Sequence, residues 1–119
     1  MVRRKNEQAS AINEKMRGGG GSVELVKLLD PASDELYGKG RLFSRIVLRP
    51  GCSIGYHVHE NEMEAFFVLS GRPEYSDNGQ LTFLSPGDVA LTMHGEGHSI
   101  GNPADAGCDA EVVALILYK

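Results

Sequence analysis

The stretch Gly51–Gly71, GCSIGYHVHENEMEAFFVLSG, decides how this chain is read. His57 and His59 are separated by one residue, so on a β-strand both imidazoles leave the same face and can converge on one ion. Such a pair alone is more often a surface or core feature than a ligand pair. The residues downstream strengthen the ligand reading. Glu60-Asn61-Glu62 reads as a reversal, and Glu64 opens a further strand in which Phe66 and Val68 face one way and Ala65, Phe67 and Leu69 the other. A second block, Gly87–Asn102 (GDVALTMHGEGHSIGN), opens another strand at His98, after Gly95-Glu96-Gly97.

Outward from these blocks, short runs rich in Val, Ile, Leu, Phe and Thr recur between turn signals. They are Val23–Leu29, Arg41–Leu48, Ser53–His59, Glu64–Leu69, Gln80–Leu84, Asp88–Thr92, His98–Asn102 and Glu111–Tyr118. Asp30-Pro31, Arg49-Pro50-Gly51, Ser70-Gly71, Ser85-Pro86-Gly87 and Asn102-Pro103 separate them. Asn78-Gly79 predicts a hairpin, because both central residues of a type I′ turn need positive φ. Many short strands at this spacing predict an all-β sandwich or small barrel. Glu64–Leu69 and Glu111–Tyr118 are apolar on both faces, so their outer face calls for a cover. A second copy of the chain, in a homodimer, a second sheet or the N-terminal segment could supply it.

The chain has 119 residues and a net charge of -4, unevenly spread. Residues 1–17 carry +3 and end in Gly18–Gly21; they read as a flexible N-terminal arm and Gly linker (1–21) ahead of one domain (22–119), with a short helix at Ser10–Met16 as a weaker option. The acidic balance and the lack of interleaved aromatics exclude a nucleic-acid partner. No apolar run is long enough to span a membrane, and two cysteines, Cys52 and Cys108, suit a reducing, cytoplasmic location. No nucleophile elbow is present, and Gly18–Gly21 lacks the Lys-Ser/Thr of a phosphate loop.

The spacing Gly51-x5-His57-x-His59-x4-Glu64-x6-Gly71, then Gly87-x5-Met93-x-Gly95-x2-His98-x3-Asn102, resembles the two motifs of the cupin superfamily, as in small single-domain bacterial and archaeal members with oxalate-decarboxylase-like sites. All five fixed positions of the first motif and four of the second are met; Met93 stands where the family usually has Pro, which questions the rigidity of the turn before His98. The resemblance implies a double-stranded β-helix (jelly-roll) barrel. It further implies one divalent transition metal (Mn, Fe, Zn, Ni or Co) on His57, His59, Glu64 and His98.

The family gap selects Glu64 over Glu60 and Glu62, which read as loop acids, with a proton-relay or ligand-orienting role open to Glu62 and Glu96. Three neutral imidazoles and one carboxylate on a divalent ion leave a charge of about +1 and, at six-coordination, two open positions, a combination that attracts small acids. Phe66, Val68 and Ile100 are expected to line the substrate pocket, with Arg45, Tyr56, Arg41 or Tyr75 at its polar end. The implied function is a metal-dependent enzyme acting on a small carboxylate by decarboxylase-, dioxygenase- or isomerase-like chemistry; the alternative is a non-catalytic small-molecule binding module.

Overall fold

The computed structural model describes residues 1–119, and ten strands account for its architecture. In chain order these are β1 (Ser10–Glu14), β2 (Ser22–Lys27), β3 (Gly40–Leu48), β4 (Ser53–Val58) and β5 (Glu62–Ser70). The remainder are β6 (Glu74–Asp77), β7 (Gln80–Phe83), β8 (Val89–Thr92), β9 (Gly97–Gly101) and β10 (Ala110–Tyr118). One sheet has six strands in the order β1-β2-β3-β10-β5-β8, and the other four in the order β4-β9-β6-β7. All pairings are antiparallel. This is the expected all-β jelly roll, built as two facing sheets that do not close by hydrogen bonds into a continuous barrel.

Each of the eight runs read from the sequence becomes a strand, and the hairpin turn is as expected: Asn78 and Gly79 have φ of 52° and 92°. The inner faces supply Ile46, Leu48, Phe66, Val68, Val112, Ala114 and Ile100, which pack into one buried core. Phe66 and Val68 face inward together, as the period of two requires.

The N-terminal segment departs from expectation. It is no free arm, and Ser10–Met16 is not helical. Ser10–Glu14 pairs with Ser22–Val26, so the boundary at residue 21 falls inside a β-hairpin. Gly18–Gly20 do not act as a loose joint: the Gly20 N–H donates to Ser53 Oγ at 2.8 Å, and the Ser53 N–H donates to the Gly20 carbonyl at 2.9 Å. A Cβ added at Gly19 would collide with the Ser53 carbonyl, so a side-chain-free residue is what lets the two backbones touch. Further upstream, the Arg3 guanidinium makes a two-pronged ion pair with Glu35 at 2.7 and 3.0 Å and donates to the Leu28 carbonyl. Sequence pattern misses this because an edge strand with few large apolar residues carries no periodic signal.

The outer face of β5 and β8 is uncovered within the chain: Phe67, Leu69, Val89 and Leu91 are 41–67% exposed. Neither the second sheet nor the N-terminal segment serves as the cover, since the latter joins the sheet at the opposite edge, beyond β2.

The Arg3 guanidinium, by its hydrogen bonds, holds the Glu35 carboxyl down from near 4.5 to about 2. A depressed carboxylate stabilises the fold above its unfolded pKa and ceases to do so as pH falls through the folded one. Glu35→Gln should therefore lower the melting temperature at about pH 7, and the gap from wild type should narrow between about pH 4.5 and about pH 3 in thermal melts.

Candidate metal centre

His57, His59, Glu64 and His98 meet between the two sheets, and their ligand atoms lie within 4.8 Å of one another. His57 lies on β4, His59 just beyond its end, Glu64 on β5 and His98 on β9, where it faces His57 across the strand pair. A register shift between Ile54 and His57 sets this arrangement. Strict alternation would turn Ile54 and His57 to opposite faces; the extra residue lets Ile54 enter the core and His57 the site.

Each imidazole is held from behind by its Nδ1. His57 Nδ1 is 2.8 Å from the Gly55 carbonyl, and His59 Nδ1 is 2.8 Å from Glu62 Oε1. Both partners only accept, so both Nδ1 atoms carry the proton and both Nε2 lone pairs turn inward. His98 Nδ1 lies 2.9 Å from the hydroxyls of Tyr75 and Thr92, either of which can accept from it. Phe66 stacks on the His98 ring, centroids 5.2 Å apart at 15°.

The inward atoms are crowded. His98 Nε2 is 3.0 Å from His59 Nε2, 3.2 Å from His57 Nε2 and 3.0 Å from Glu64 Oε1. With the imidazoles neutral, inward-facing nitrogens and a carboxylate at such separations repel unless a shared proton or a cation joins them. Two nitrogens at right angles on an ion with bonds of about 2.1 Å stand about 3.0 Å apart, so the donor set fits a divalent transition ion.

The ionisation of the cluster follows from its packing. Burial pushes His57 below its ordinary value, and neighbouring His98, His59 and Arg17 add to this against the pull of the Gly55 carbonyl. The hydrogen bond to Glu64 raises His59, burial opposing and Glu62 assisting. Burial acts to raise Glu64, but the bonds to His59 and His98 outweigh it and hold the carboxyl below its usual range. The Arg41 guanidinium, with His59 helping against burial, takes Glu62 down to about 2.

Glu62 is not a loop acid. It begins β5, accepts from Arg41 Nε and Nη2 at 2.8 and 2.7 Å, and orients His59. Glu96 instead accepts from the Met93 N–H at 2.8 Å, away from the cluster. That bond uses a donor that Pro would lack, so the turn before His98 is braced by Glu96 in place of a ring. His94 accepts from the Asn61 N–H on the exterior.

The other sequence candidates fall elsewhere. Phe66, Val68 and Ile100 belong to the packed core and do not line the cavity beside the cluster, although Phe66 touches the site by stacking on His98. Arg45 pairs with Glu111 at 3.0 Å on the outer face of the large sheet, and Tyr56 is half-exposed with its ring against Gly97. Tyr75 points inward but braces His98. A cavity of about 40 Å³ does border His57, His59 and Glu64. Its other walls are Met16 and Arg17 from the segment before β2, Arg41 and Leu42 from β3, and the aliphatic side chains of Leu25, Ile46, Ile54 and Ile116. Arg41 is among the polar candidates of the sequence; Met16 and Arg17 are not, and no local pattern marks them.

Two facing antiparallel sheets enclosing a three-histidine, one-carboxylate cluster define the chain as a double-stranded β-helix protein with a site able to hold a metal. The Cupin domain family model matches residues 44–116, and the chain belongs to the cupin family. It is 40% identical over 117 residues to a Thermotoga maritima protein named "Oxalate-binding protein", covering 98% of this chain and 93% of that one. A crystal structure of a predicted oxalate decarboxylase from Thermotoga maritima superposes over 100% of both chains with a TM-score of 0.91 and 39% identity. The polyketide cyclase RemF from Streptomyces resistomycificus shares the fold at a TM-score of 0.74 and 17% identity, covering 99% of this chain and 80% of that one.

The geometry yields two expected outcomes. Glu62→Ala, which frees His59 Nδ1, should weaken divalent-metal affinity by roughly 10–100-fold in competition with a chelator. Because His59 is raised, protons should compete with the ion as pH falls. Metal content by elemental analysis should drop on dialysis from about pH 8 to about pH 5.

Proposed function

We propose that His57, His59, Glu64 and His98 hold one divalent transition metal and that the chain binds a small carboxylic acid of the oxalate class there. The observation that carries this reading is the convergence of four donors, three of which, His57, His59 and Glu64, border a small cavity with mainly aliphatic walls. A pocket of that kind favours a compact ligand with one chelating anionic end. When bound, such an ion supplies Lewis-acid attraction for an acid's oxygens and, for Mn or Fe, access to redox chemistry. The protein's residues orient the ligands, through Glu62, Gly55, Tyr75 and Thr92, and exclude bulk water with the aliphatic wall. The name of the Thermotoga relative supports an acid ligand of this class.

Glu62 is a poor fit to proton transfer, because Arg41 and His59 occupy its oxygens and its pKa of about 2 leaves it without a proton to give. A binding function therefore stands first. The second reading is a metal-dependent enzyme with decarboxylase-, dioxygenase- or isomerase-like chemistry, favoured by the likeness to a predicted oxalate decarboxylase. A homodimer formed through the exposed Phe67, Leu69, Val89 and Leu91 face completes the proposal. A cytoplasmic setting accords with two free cysteines.

Metal-loaded protein titrated with oxalate in a calorimeter should show saturable binding that a chelator abolishes, and His59→Ala should lose metal and oxalate binding together. Absence of oxalate binding by the metal-loaded chain would overturn the reading. Release of formate or CO2 from oxalate would place the enzyme first.

A further inference from the structure

Two arginines border the cavity over the cluster, and they differ in one respect. Arg41 is neutralised by Glu62 through two hydrogen bonds. Arg17, an exposed side chain, has no carboxylate partner, as is also true of Arg4, Arg49 and Arg72, but of these it alone borders the cavity. It reaches the cavity from a strap, residues 15–20, that crosses β4.

The strap is fixed in place. A Cβ at Gly55 would collide with the Arg17 carbonyl, and the same Gly55 presents its own carbonyl to His57 Nδ1. Arg17 is thus docked on the residue that orients a candidate metal ligand. Its backbone lies in the left-handed region, at φ 53° and ψ 31°, where a glycine would sit without strain. Glycines occupy the next four positions, yet an arginine stands here. Lys15 in the same strap shares this conformation, and what sets Arg17 apart is that it alone of the two borders the cavity.

Charge arithmetic gives Arg17 a role. A divalent ion with Glu64 and three neutral imidazoles carries about +1, and Arg41 with Glu62 adds nothing. Arg17 brings the cavity to about +2, the match for a dianion rather than a monoanion. We infer that Arg17 is a specificity residue, which binds the end of a small dicarboxylate distal to the metal and selects it over a monocarboxylate of equal size. This rests on the small-acid reading above. The guanidinium fork suits a carboxylate in two-point contact, which an ammonium cannot reproduce.

The test uses oxalate against glycolate, a two-carbon chelator with one negative charge, titrated into metal-loaded protein. Arg17→Gly suits the backbone, so it should fold with a melting temperature equal to or above wild type and with unchanged metal content. Its oxalate affinity should fall roughly 10–100-fold, while glycolate binding changes less than about threefold. Arg17→Lys should restore part of the preference. An unchanged oxalate-to-glycolate ratio in Arg17→Gly overturns the assignment and leaves the small-acid reading intact. Failure of metal-loaded wild type to bind oxalate overturns both. Loss of metal from Arg17→Gly would show the strap to be structural and also overturn the assignment.

Discussion

The structure turns on where two protons are not. His57 and His59 each place their ring N–H on an outward acceptor, so their inner nitrogens are left as lone pairs facing His98 and Glu64. A cluster of that kind is costly in the low-dielectric space between two sheets unless it is charge-compensated. The rest of the fold holds it together. β4 and β9 pair so that His57 and His98 are opposite one another, and β5 delivers Glu64 from the facing sheet. Phe66, one alternate residue further along β5, stacks on His98 and seals the site from the core side.

Around the donors runs a shell of polar contacts that joins otherwise distant segments. Arg41 on β3, Glu62 on β5 and His59 beyond β4 form one chain of hydrogen bonds across the interior rim. Tyr75 on β6 and Thr92 on β8 meet at His98, so each sheet contributes to its orientation. Beyond the inward-facing ligand atoms themselves, no buried side-chain polar atom is left without a partner. This completeness matters because an unsatisfied group here would cost about as much as several good contacts gain. The preorganised ligands then face a cavity too small for any but a compact molecule.

The strap before β2 supplies one wall of the cavity beside the site. Tight backbone contact with β4 is possible only because Gly19 and Gly55 lack side chains, and that contact carries Met16 and Arg17 to the cavity. The glycine-rich run, a hinge by composition, is thus a packing surface. Glycine permits both, and only the neighbour decides between them.

The sequence by itself determined eight of the ten strands and the hairpin at Asn78-Gly79, because alternation and turn chemistry are local properties of the chain, and its resemblance to the cupin motifs implied the four side chains that converge. It also pointed to the possible ligand-orienting role of Glu62, while misplacing that residue in a loop. Only the tertiary structure decided which faces look where. The bulge before His57 turns Tyr56 out and lets Ile54 in, and a one-residue slip of this kind leaves no trace in composition. Phe66, Val68 and Ile100, pocket walls by sequence pattern, are core in the structure, since the same apolar side chains serve either end of a sheet interior. The edge strand Ser10–Glu14 and the cavity residues Met16 and Arg17 were illegible for a related reason: their partners lie on β2 and β4, and contacts between distant segments have no periodicity to betray them.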